Sequence, residues 1–267
     1  MLYSVLDKIK KNKDLIPSEN LDWDNYEFGK NFYNNIVRDE IQTDLETSFI
    51  LEKLRLKSNS KILDLGCGGG RNSFALNKKG FIIEGIDLNK YAIEQANLNA
   101  TENTHFHNKN ILDIDYKEEF NSVLLIFNHF SIFNKNTAKK LLKKIENALV
   151  KDGKVLIEIQ SLNGGQLLDK TQEWFITDSW ISGDFNQLVL IENSFDFSKN
   201  IHTRTDYCIN SNTYELSVFN QKTYLYDIDD IYNLFSSTDL KIKQIYGDWE
   251  GKIFEEDDDI MIITAQK

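Results

Sequence analysis

Short apolar runs alternate with helical patterns between residues 61 and 160. The runs are KILDL, FIIEGID, THFHN, NSVLLIFN and KVLIEIQ, and the segments between them that have helical spacing are RNSFALNKKG, KYAIEQANLNA and TAKKLLKKIENALVKDG. The last of these is expected to end at Gly153. VLLIF and VLIEI are apolar on both faces, as strands are in a parallel sheet covered by helices. The alternation therefore predicts a doubly wound α/β sheet.

The pattern changes after residue 165, where strand-like runs are separated by the polar turns SGD, SKN and NSN and no helical spacing occurs from 174 to 226. In IHTRTDYCI, the even-numbered side chains from His202 to Cys208 share one face and the odd-numbered ones share the other. This segment is predicted to be an inserted antiparallel β-meander. A helix in IDDIYNLFSSTD then precedes two strands, KIKQIYGDW and DIMIITAQ, which should pair antiparallel at the sheet edge.

Composition limits the classes of partner. The chain of 267 residues is 41% hydrophobic and 27% charged, as a soluble globular protein is, and its formal net charge is -11. That charge disfavours nucleic acid and anionic membranes as partners. The two cysteines have no metal-ligand spacing, so no metal is predicted. The first 14 residues alternate apolar and charged positions without the apolar core of a signal peptide, and a cytoplasmic location is expected.

Four glycines follow the first strand, in ILDLGCGGGRN at residues 62–72. A phosphate-binding loop would end in Gly-Lys-Ser/Thr, which is absent, and a dinucleotide fingerprint would need glycine where Arg71 stands. The spacing that fits is Asp-x-Gly-x-Gly-x-Gly, formed by Asp64, Gly66, Gly68 and Gly70. Taken alone, this loop is also compatible with a strand-to-helix turn that binds nothing.

Two further positions indicate an adenosine-containing ligand. Asp87 ends the second strand, where a carboxylate can accept from both ribose hydroxyls, although it could instead cap the next helix together with Asn89. After the third strand, Asn110 can bond the edge of an adenine and Ile111 can contact its ring. Arg71 opposes the helix dipole at the helix start, which a ligand carboxylate would offset; a solvated arginine is the alternative.

These motifs resemble those of the class I S-adenosylmethionine-dependent methyltransferases. ILDLGCGGGRN is similar to the first motif of the family, GIDLN to its second, and NILDID with SVLLIFNHF to its third and fourth. Within the family, GRNSFAL resembles the tellurite-resistance type. The resemblance implies a doubly wound, Rossmann-like seven-stranded sheet with an antiparallel final strand, to which the β-meander is added, and it implies S-adenosylmethionine as the cofactor.

The resemblance also implies a set of cofactor contacts along the carboxyl ends of the strands. The glycine loop would contact the methionine moiety, Asp64 its ammonium and Asp87 the ribose, while Phe127 and Asn128 would flank the sulfonium. The complete predicted set is Asp64, Gly66, Cys67, Gly68, Gly70, Arg71, Asp87, Leu88, Asn110, Ile111, Phe127 and Asn128. The family's usual acidic residue before the adenine site is Asn110 here.

The acceptor side must come from outside the core. His129 follows the fourth strand and is the candidate general base, with shaping of the pocket wall as the alternative. The predicted substrate-binding residues are Tyr26, Tyr33, Trp174, Arg204 and Tyr224, each of which could instead serve only for packing. Three parts are expected: a lid at 1–40, the core at 41–165 and 227–267, and the insert at 166–226.

The predicted function is methyl transfer to nitrogen or oxygen of a small-molecule acceptor. Alternatives are an RNA or protein methyltransferase, a cofactor-binding protein without turnover and, less well supported, an NAD-dependent oxidoreductase. The insert could cover the active site or form a homodimer contact.

Overall fold

The computed structural model describes residues 18–20, 23, 25–35, 40–213 and 215–267. The predicted amphipathic pattern of the first 14 residues, and most of the predicted lid at 1–40, lie outside these residues. None of the described helices is both long and apolar enough to cross a membrane.

A seven-stranded mixed sheet forms the centre of the core, as predicted. Its strands are β2 (Lys61–Leu65), β3 (Ile82–Asp87), β4 (Thr104–Asn108), β5 (Phe120–Leu125), β6 (Leu149–Gln160), β11 (Lys241–Tyr246) and β12 (Ile260–Gln266). They lie in the order β11-β12-β6-β5-β2-β3-β4. β12 runs antiparallel to both of its neighbours, and the other pairs are parallel. The predicted antiparallel pairing of the last two strands is confirmed.

Helices cover both faces of this sheet. They are α2 (Glu40–Leu54), α3 (Arg71–Asn77), α4 (Lys90–Leu98), α5 (Lys135–Ala148), α6 (Leu162–Gln166) and α7 (Ile228–Phe235). α5 and α7 contribute apolar side chains to the core on one face, while α2 and α3 contribute to the core on the other. The sheet is thus buried on both faces, which explains why its central strands are apolar throughout.

The predicted end of α5 at Gly153 is wrong by five residues. The helix ends at Ala148, and Leu149 already has extended φ and ψ angles and pairs with Phe120 at the start of β6. Asp152 then takes a left-handed φ of 62°. Sheet pairing at Leu149 therefore overrides the helical spacing of the sequence.

The insert forms a second sheet from β7 (Gln172–Thr177), β8 (Gln187–Asp196), β9 (Ile201–Asn210) and β10 (Leu216–Tyr224). Consecutive strands pair antiparallel, which confirms the meander, and the short strand β1 (Ser18–Asn20) pairs parallel with β10. Helix α1 (Tyr26–Asn35) packs Phe28 and Phe32 against a cluster that includes Ile181 and Val189. The second sheet and α1 thus share one apolar core.

Candidate active site

The glycine loop between β2 and α3 is fixed to β3 by backbone hydrogen bonds. The amide of Gly66 donates to the Ile86 carbonyl at 2.7 Å, and that of Gly68 donates to Oδ2 of Asp87 at 2.9 Å. The other oxygen of Asp87 accepts from the amide of Asn89 at 2.8 Å. Asn89, not Asp87, caps α4 through its side chain. The buried carboxylate of Asp87 therefore holds the loop in position.

Two side chains of the protein lie directly against these glycines. A Cβ atom built on Gly66 would be 2.6 Å from Nδ1 of His129, and one built on Gly68 would be 2.7 Å from Cε1 of Tyr33. Both glycines have left-handed φ angles, 72° and 54°. A side chain at either position would be strained and would also displace its neighbour.

A cavity of about 290 Å³ opens at this loop; we call it the glycine-loop cavity. Six predicted cofactor residues line it, and these are Asp64, Gly66, Cys67, Gly68, Arg71 and Phe127. Tyr33 and His129 line it as well, together with Phe32, Gly69, Asn72, Tyr91, Gln95 and Ile126. A Cβ built on Gly69 would meet no atom within 4 Å. The loop thus presents bare backbone to open space.

Asp64 supplies a buried carboxylate to the cavity. Ser73 donates its hydroxyl to Oδ2 of Asp64 at 2.6 Å. Burial raises the pKa of Asp64 to about 6, against the opposing effects of that hydrogen bond and of the nearby His129 and Arg71. Burial, with the negative charge of Asp87 as a further cause, also raises the pKa of Tyr33 well above its ordinary value. Tyr33 therefore stays a neutral hydroxyl beside these carboxylates.

Arg71 is held by an ion pair with α2. Its Nη2 lies 2.6 Å from Oε2 of Glu46, and its Nη1 donates to the hydroxyl of Thr43 at 2.8 Å. Glu46 is fully buried and also accepts from Asn72 at 2.9 Å. A carboxylate of the chain itself thus compensates the arginine charge, and a contact between Arg71 and a cofactor carboxylate stays a prediction.

The predicted adenine-side residues follow the carboxyl ends of β3 and β4. Leu88 is 37% exposed, whereas Ile111 is buried in the main core. Oδ1 of Asn110 accepts from the amide of Leu112 at 2.9 Å and so caps a short 3-10 turn, Ile111–Asp113. These residues, with Asp87 and Gly70, do not line the glycine-loop cavity. Their roles stay predictions.

The turn after β5 has an unusual backbone. Phe127 and Asn128 are consecutive non-glycine residues with left-handed φ angles of 63° and 57°. The amide of Phe127 donates to Oε2 of Glu158, a fully buried residue of β6. This contact stabilises a conformation that costs of order 1–3 kcal/mol at each residue. The turn places His129 against Gly66 of the glycine loop.

The hydrogen bonding of His129 indicates its tautomer. Its Nδ1 lies 2.9 Å from the carbonyl oxygen of Ile126. A carbonyl can only accept, so Nδ1 carries the proton in the neutral ring and Nε2 has the free lone pair. His129 can therefore act as a base through Nε2.

A second cavity, of about 260 Å³, lies between α1, the turn after β5 and the inner face of the second sheet. Aromatic side chains form much of its wall: Trp23, Phe28, Phe32, Phe127, Trp180 and Phe219. Polar side chains complete it: Asn128, His129, Gln160, Arg204, Asp206, Gln221 and Thr223. Phe32, Phe127 and His129 line both cavities. These three side chains therefore lie between the two adjacent cavities, and we call this boundary the junction.

Arg204 and Asp206 form a charge pair in the second cavity. The Nε and Nη2 atoms of Arg204 donate to the two carboxylate oxygens of Asp206 at 2.6 and 2.9 Å. The indole N–H of Trp180 donates to the same carboxylate at 3.2 Å. The two charges thus compensate each other.

The structure brings two of the five predicted acceptor residues to these cavities: Tyr33 to the first and Arg204 to the second. Tyr26 instead donates to Glu94 of α4 at 3.0 Å. Trp174 is 63% exposed, because its neighbour Phe175 takes the inward-facing position on β7. Tyr224 lies next to Thr223 on β10 and lines a separate depression.

Several site residues were not predicted from the sequence. They are Glu46, Glu158 and Gln160 in the core, with Asp206, Phe219, Gln221 and Thr223 in the second sheet. Asp206 had a usable signal, because it shares a strand face with Arg204. Gln160 is the last residue of a core strand, which is also where ligand-binding residues lie in such sheets. Nothing in the local sequence marks Glu46 or Glu158. Among the described residues, no cluster of three or more potential metal ligands occurs.

Comparisons with known proteins agree with this fold. Residues 56–181 match a family model described as a methyltransferase domain. A protein of Geobacillus sp. strain WCH70, named as a methyltransferase, is 28% identical over 143 residues, which are 51% of this chain and 58% of that protein. The chain thus spans little more than half the length of this relative.

Solved structures of low sequence identity share the fold. An S-adenosylmethionine-dependent methyltransferase from Clostridium acetobutylicum superposes with a TM-score of 0.71 at 17% identity, covering 88% of this chain and 96% of that one. The S-adenosylmethionine-bound amino pentose methyltransferase CalS10 from Micromonospora echinaspora has a TM-score of 0.64 at 12% identity, covering 93% and 98%. The narrower tellurite-resistance likeness stays a prediction. Residues 56–181 thus match a methyltransferase domain, and the fold is that of class I S-adenosylmethionine-dependent methyltransferases.

Proposed function

We propose that the protein transfers a methyl group from S-adenosylmethionine to nitrogen or oxygen of a small-molecule acceptor. The observation that carries this proposal is the junction of two cavities at Phe32, Phe127 and His129. One cavity lies on the glycine loop, where this family binds its cofactor, and the other is walled by the insert. Methyl transfer needs such a junction, because donor and acceptor must meet in line.

The residues at the glycine loop fit the cofactor chemically. Bare backbone at Gly69 leaves room for the methionine moiety, and the buried Asp64 carboxylate suits an ammonium group. Asp87 accepts two amide hydrogens, and a carboxylate has further lone-pair positions for ribose hydroxyls. When bound, the cofactor supplies an electrophilic methyl group on its sulfonium.

The chain itself contributes positioning, exclusion of water and a base. Phe32 and Phe127 lie edge to face, with ring centroids 6.4 Å apart, and form an apolar wall at the junction. Nε2 of His129 can take a proton from an acceptor that must lose one. No further catalytic group is required, since the methyl group is already activated.

The size of the second cavity and the net charge of the chain favour a small acceptor over RNA or protein. At about 260 Å³ it suits one or two rings, and α1 and the second sheet enclose it. The formal net charge of -11 disfavours a polyanion. One structural neighbour, the amino pentose methyltransferase, acts on a small molecule, which supports a small-molecule acceptor for this protein as well.

The domain division follows from this arrangement as part of the proposal. The lid is proposed at residues 1–40, of which the described helix α1 carries Tyr33 to the glycine loop and Phe32 to the junction. Residues 166–226 cover the acceptor, and the core comprises 41–165 and 227–267. Cys67 and Cys208 are both free, which suits the reducing cytoplasm that we propose as the location.

Replacing Asp87 with alanine should weaken S-adenosylhomocysteine binding by about 1–3 kcal/mol, because buried hydrogen bonds to the ribose and to the Gly68 amide are lost together. Calorimetry measures the change. Asp115→Ala, which removes an exposed carboxylate away from both cavities, should bind as the wild-type chain does. Unchanged affinity in Asp87→Ala would mean that the ribose lies elsewhere.

Affinity for S-adenosylhomocysteine should rise with pH through the range near 6. The ligand ammonium binds ionised Asp64, whose pKa is about 6; at pH 5 only about a tenth of the chains are then competent, and the affinity should be about tenfold below that at pH 7. His129, Arg71 and Asp87 also face this group, and all three are kept in Asp64→Asn. That variant should lose the pH dependence; if it keeps the dependence, Asp64 is not the titrating group.

The acceptor class can be tested by a screen. The protein is incubated with S-adenosylmethionine and pools of small amines, phenols and alcohols, and S-adenosylhomocysteine release is measured. Release with at least one pool is expected. Release only with RNA or with protein substrates would overturn the small-molecule assignment.

A further inference from the structure

We propose that the acceptor molecule is a neutral ring with two adjacent hydroxyl groups, and that Arg204 selects it by donating to both hydroxyl oxygens. This inference rests on the proposed function and concerns the wall of the second cavity that β9 and β10 form. Arg204 lines the second cavity but not the glycine-loop cavity. The two hydroxyls are therefore a recognition group, separate from the atom that receives the methyl group.

The guanidinium of Arg204 is fixed along one edge and unused along the other. Its Nε and Nη2 atoms each donate to one carboxylate oxygen of Asp206. A guanidinium has five N–H hydrogens in a rigid fork, so three remain, two on Nη1 and one on Nη2. Nη1 has no partner in the part of the chain that the structure describes. The pair with Asp206 thus holds Arg204 in place and leaves donors for a ligand.

These remaining donors are accessible. The Arg204 side chain is 37% exposed and lines the cavity. Nη1 is not one of the fully buried, unpartnered side-chain atoms of the described residues, so solvent reaches it. Nη1 and Nη2 each direct one N–H bond the same way, and this second edge of the guanidinium can donate to two neighbouring oxygens at once.

The charges around Arg204 favour neutral oxygens over a carboxylate or a phosphate. Asp206 is only 4% exposed and already compensates the guanidinium, and the negative charge of Glu173 acts on it as well. Among the described residues that line the cavity, no other is a lysine or an arginine. A ligand anion would therefore share a cation that is already paired, and an uncompensated charge is costly to bury. Hydroxyl groups bring no such charge.

Neutral polar side chains near Arg204 suit the hydrogens of the same hydroxyl groups. Gln221 lies directly opposite Arg204 on β10, and Thr223 follows on the same face of the sheet. Both line the cavity, as does Gln160. Their amide and hydroxyl oxygens can accept from the ligand hydroxyls while Arg204 donates to them. Aromatic side chains form much of the remaining wall and give the carbon atoms of a ring an apolar surface.

The test compares ring compounds that differ only in their polar groups, bound to the protein loaded with S-adenosylhomocysteine and measured by calorimetry. The saturated series is cis-1,2-cyclohexanediol, cyclohexanol and cyclohexanecarboxylate, and the aromatic series is catechol, phenol and benzoate. In at least one series the diol should bind at least about tenfold more tightly than both companions, because it gains a second hydrogen bond without adding a charge. The series with the tighter diol identifies the kind of ring. If no diol is preferred, or if none of the compounds binds, the inference is overturned.

An exchange of arginine for lysine tests the fork itself. Arg204→Lys keeps a positive charge beside Asp206 but has no planar pair of donors, so it should lose the preference for the diol. Arg55→Lys makes the same exchange at an exposed arginine that lines neither cavity, and it should bind all six compounds as the wild-type chain does. If Arg204→Lys keeps the wild-type preference for the diol, the inference is overturned.

Asp206→Asn tests the charge argument, because it removes the close counter-charge of Arg204. The carboxylate of the preferred series should then bind at least about tenfold more tightly than it does to the wild-type chain, a gain that a merely structural role of the pair does not produce. A folded Asp206→Asn variant without this gain overturns the inference, and if the variant does not fold, Arg204→Lys decides alone. Failure of S-adenosylhomocysteine to bind the wild-type chain would instead overturn the proposed function.

Discussion

Replacing His129 with alanine is expected to lower the rate of methyl transfer by about 10²–10⁴-fold, the usual contribution of a general base. The imidazole lies at the junction of the two cavities and has its lone pair on Nε2. Without it, the acceptor must lose its proton to water before attack. Single-turnover release of S-adenosylhomocysteine, with the acceptor found by screening, measures the effect.

Two further substitutions make this result interpretable. His129→Gln keeps a side chain of similar length over Gly66 but cannot take up a proton, so it should be as slow as His129→Ala. His105→Ala removes an exposed imidazole on β4, remote from both cavities, and should leave the rate unchanged. If His129→Ala turns over at the wild-type rate, the residue shapes the wall and no base is used.

Replacing Glu46 with alanine is expected to lower the free energy of unfolding by about 3–5 kcal/mol. Glu46 is fully buried, and its Oε2 accepts from both Arg71 and Asn72 at the start of α3. Its removal leaves the Arg71 guanidinium with an uncompensated charge in a side chain that is only 22% exposed. Urea denaturation at constant pH measures the loss.

The double variant Glu46→Ala, Arg71→Ala tests the cause of that loss. Because it removes both charges, it should be more stable than Glu46→Ala alone. Glu52→Ala removes the exposed partner of Lys53 and should leave the denaturation midpoint where it is. If Glu46→Ala also leaves the midpoint unchanged, the ion pair does not stabilise α3.

The fold was predictable because the relevant patterns are local. Apolar runs such as VLLIF and VLIEI identify buried strands, and the alternating faces of β9 identify the meander. The end of α5 was not predictable, because Leu149 leaves the helix to pair with Phe120, about thirty residues earlier in the chain. Helical spacing contains no information about that partner.

The site residues were predictable only where they directly follow the end of one strand. Asp64 and the glycines lie together as their motif implies, whereas Arg71 pairs with Glu46 of a preceding helix. The glycines also make room for His129 and Tyr33, which reach the loop from distant segments. Trp174 was predicted to bind the acceptor, but it lines neither cavity. Its side chain faces outward, because successive residues of a strand point to opposite faces of the sheet. Contacts between segments decide these positions, and no single motif encodes them.

The central claim is that the glycine loop binds S-adenosylmethionine, and calorimetry with S-adenosylhomocysteine and with NAD tests it most directly. We expect saturable binding of S-adenosylhomocysteine at one site per chain and no heat from NAD under the same conditions. Saturable binding of NAD, with none of S-adenosylhomocysteine, would contradict the account.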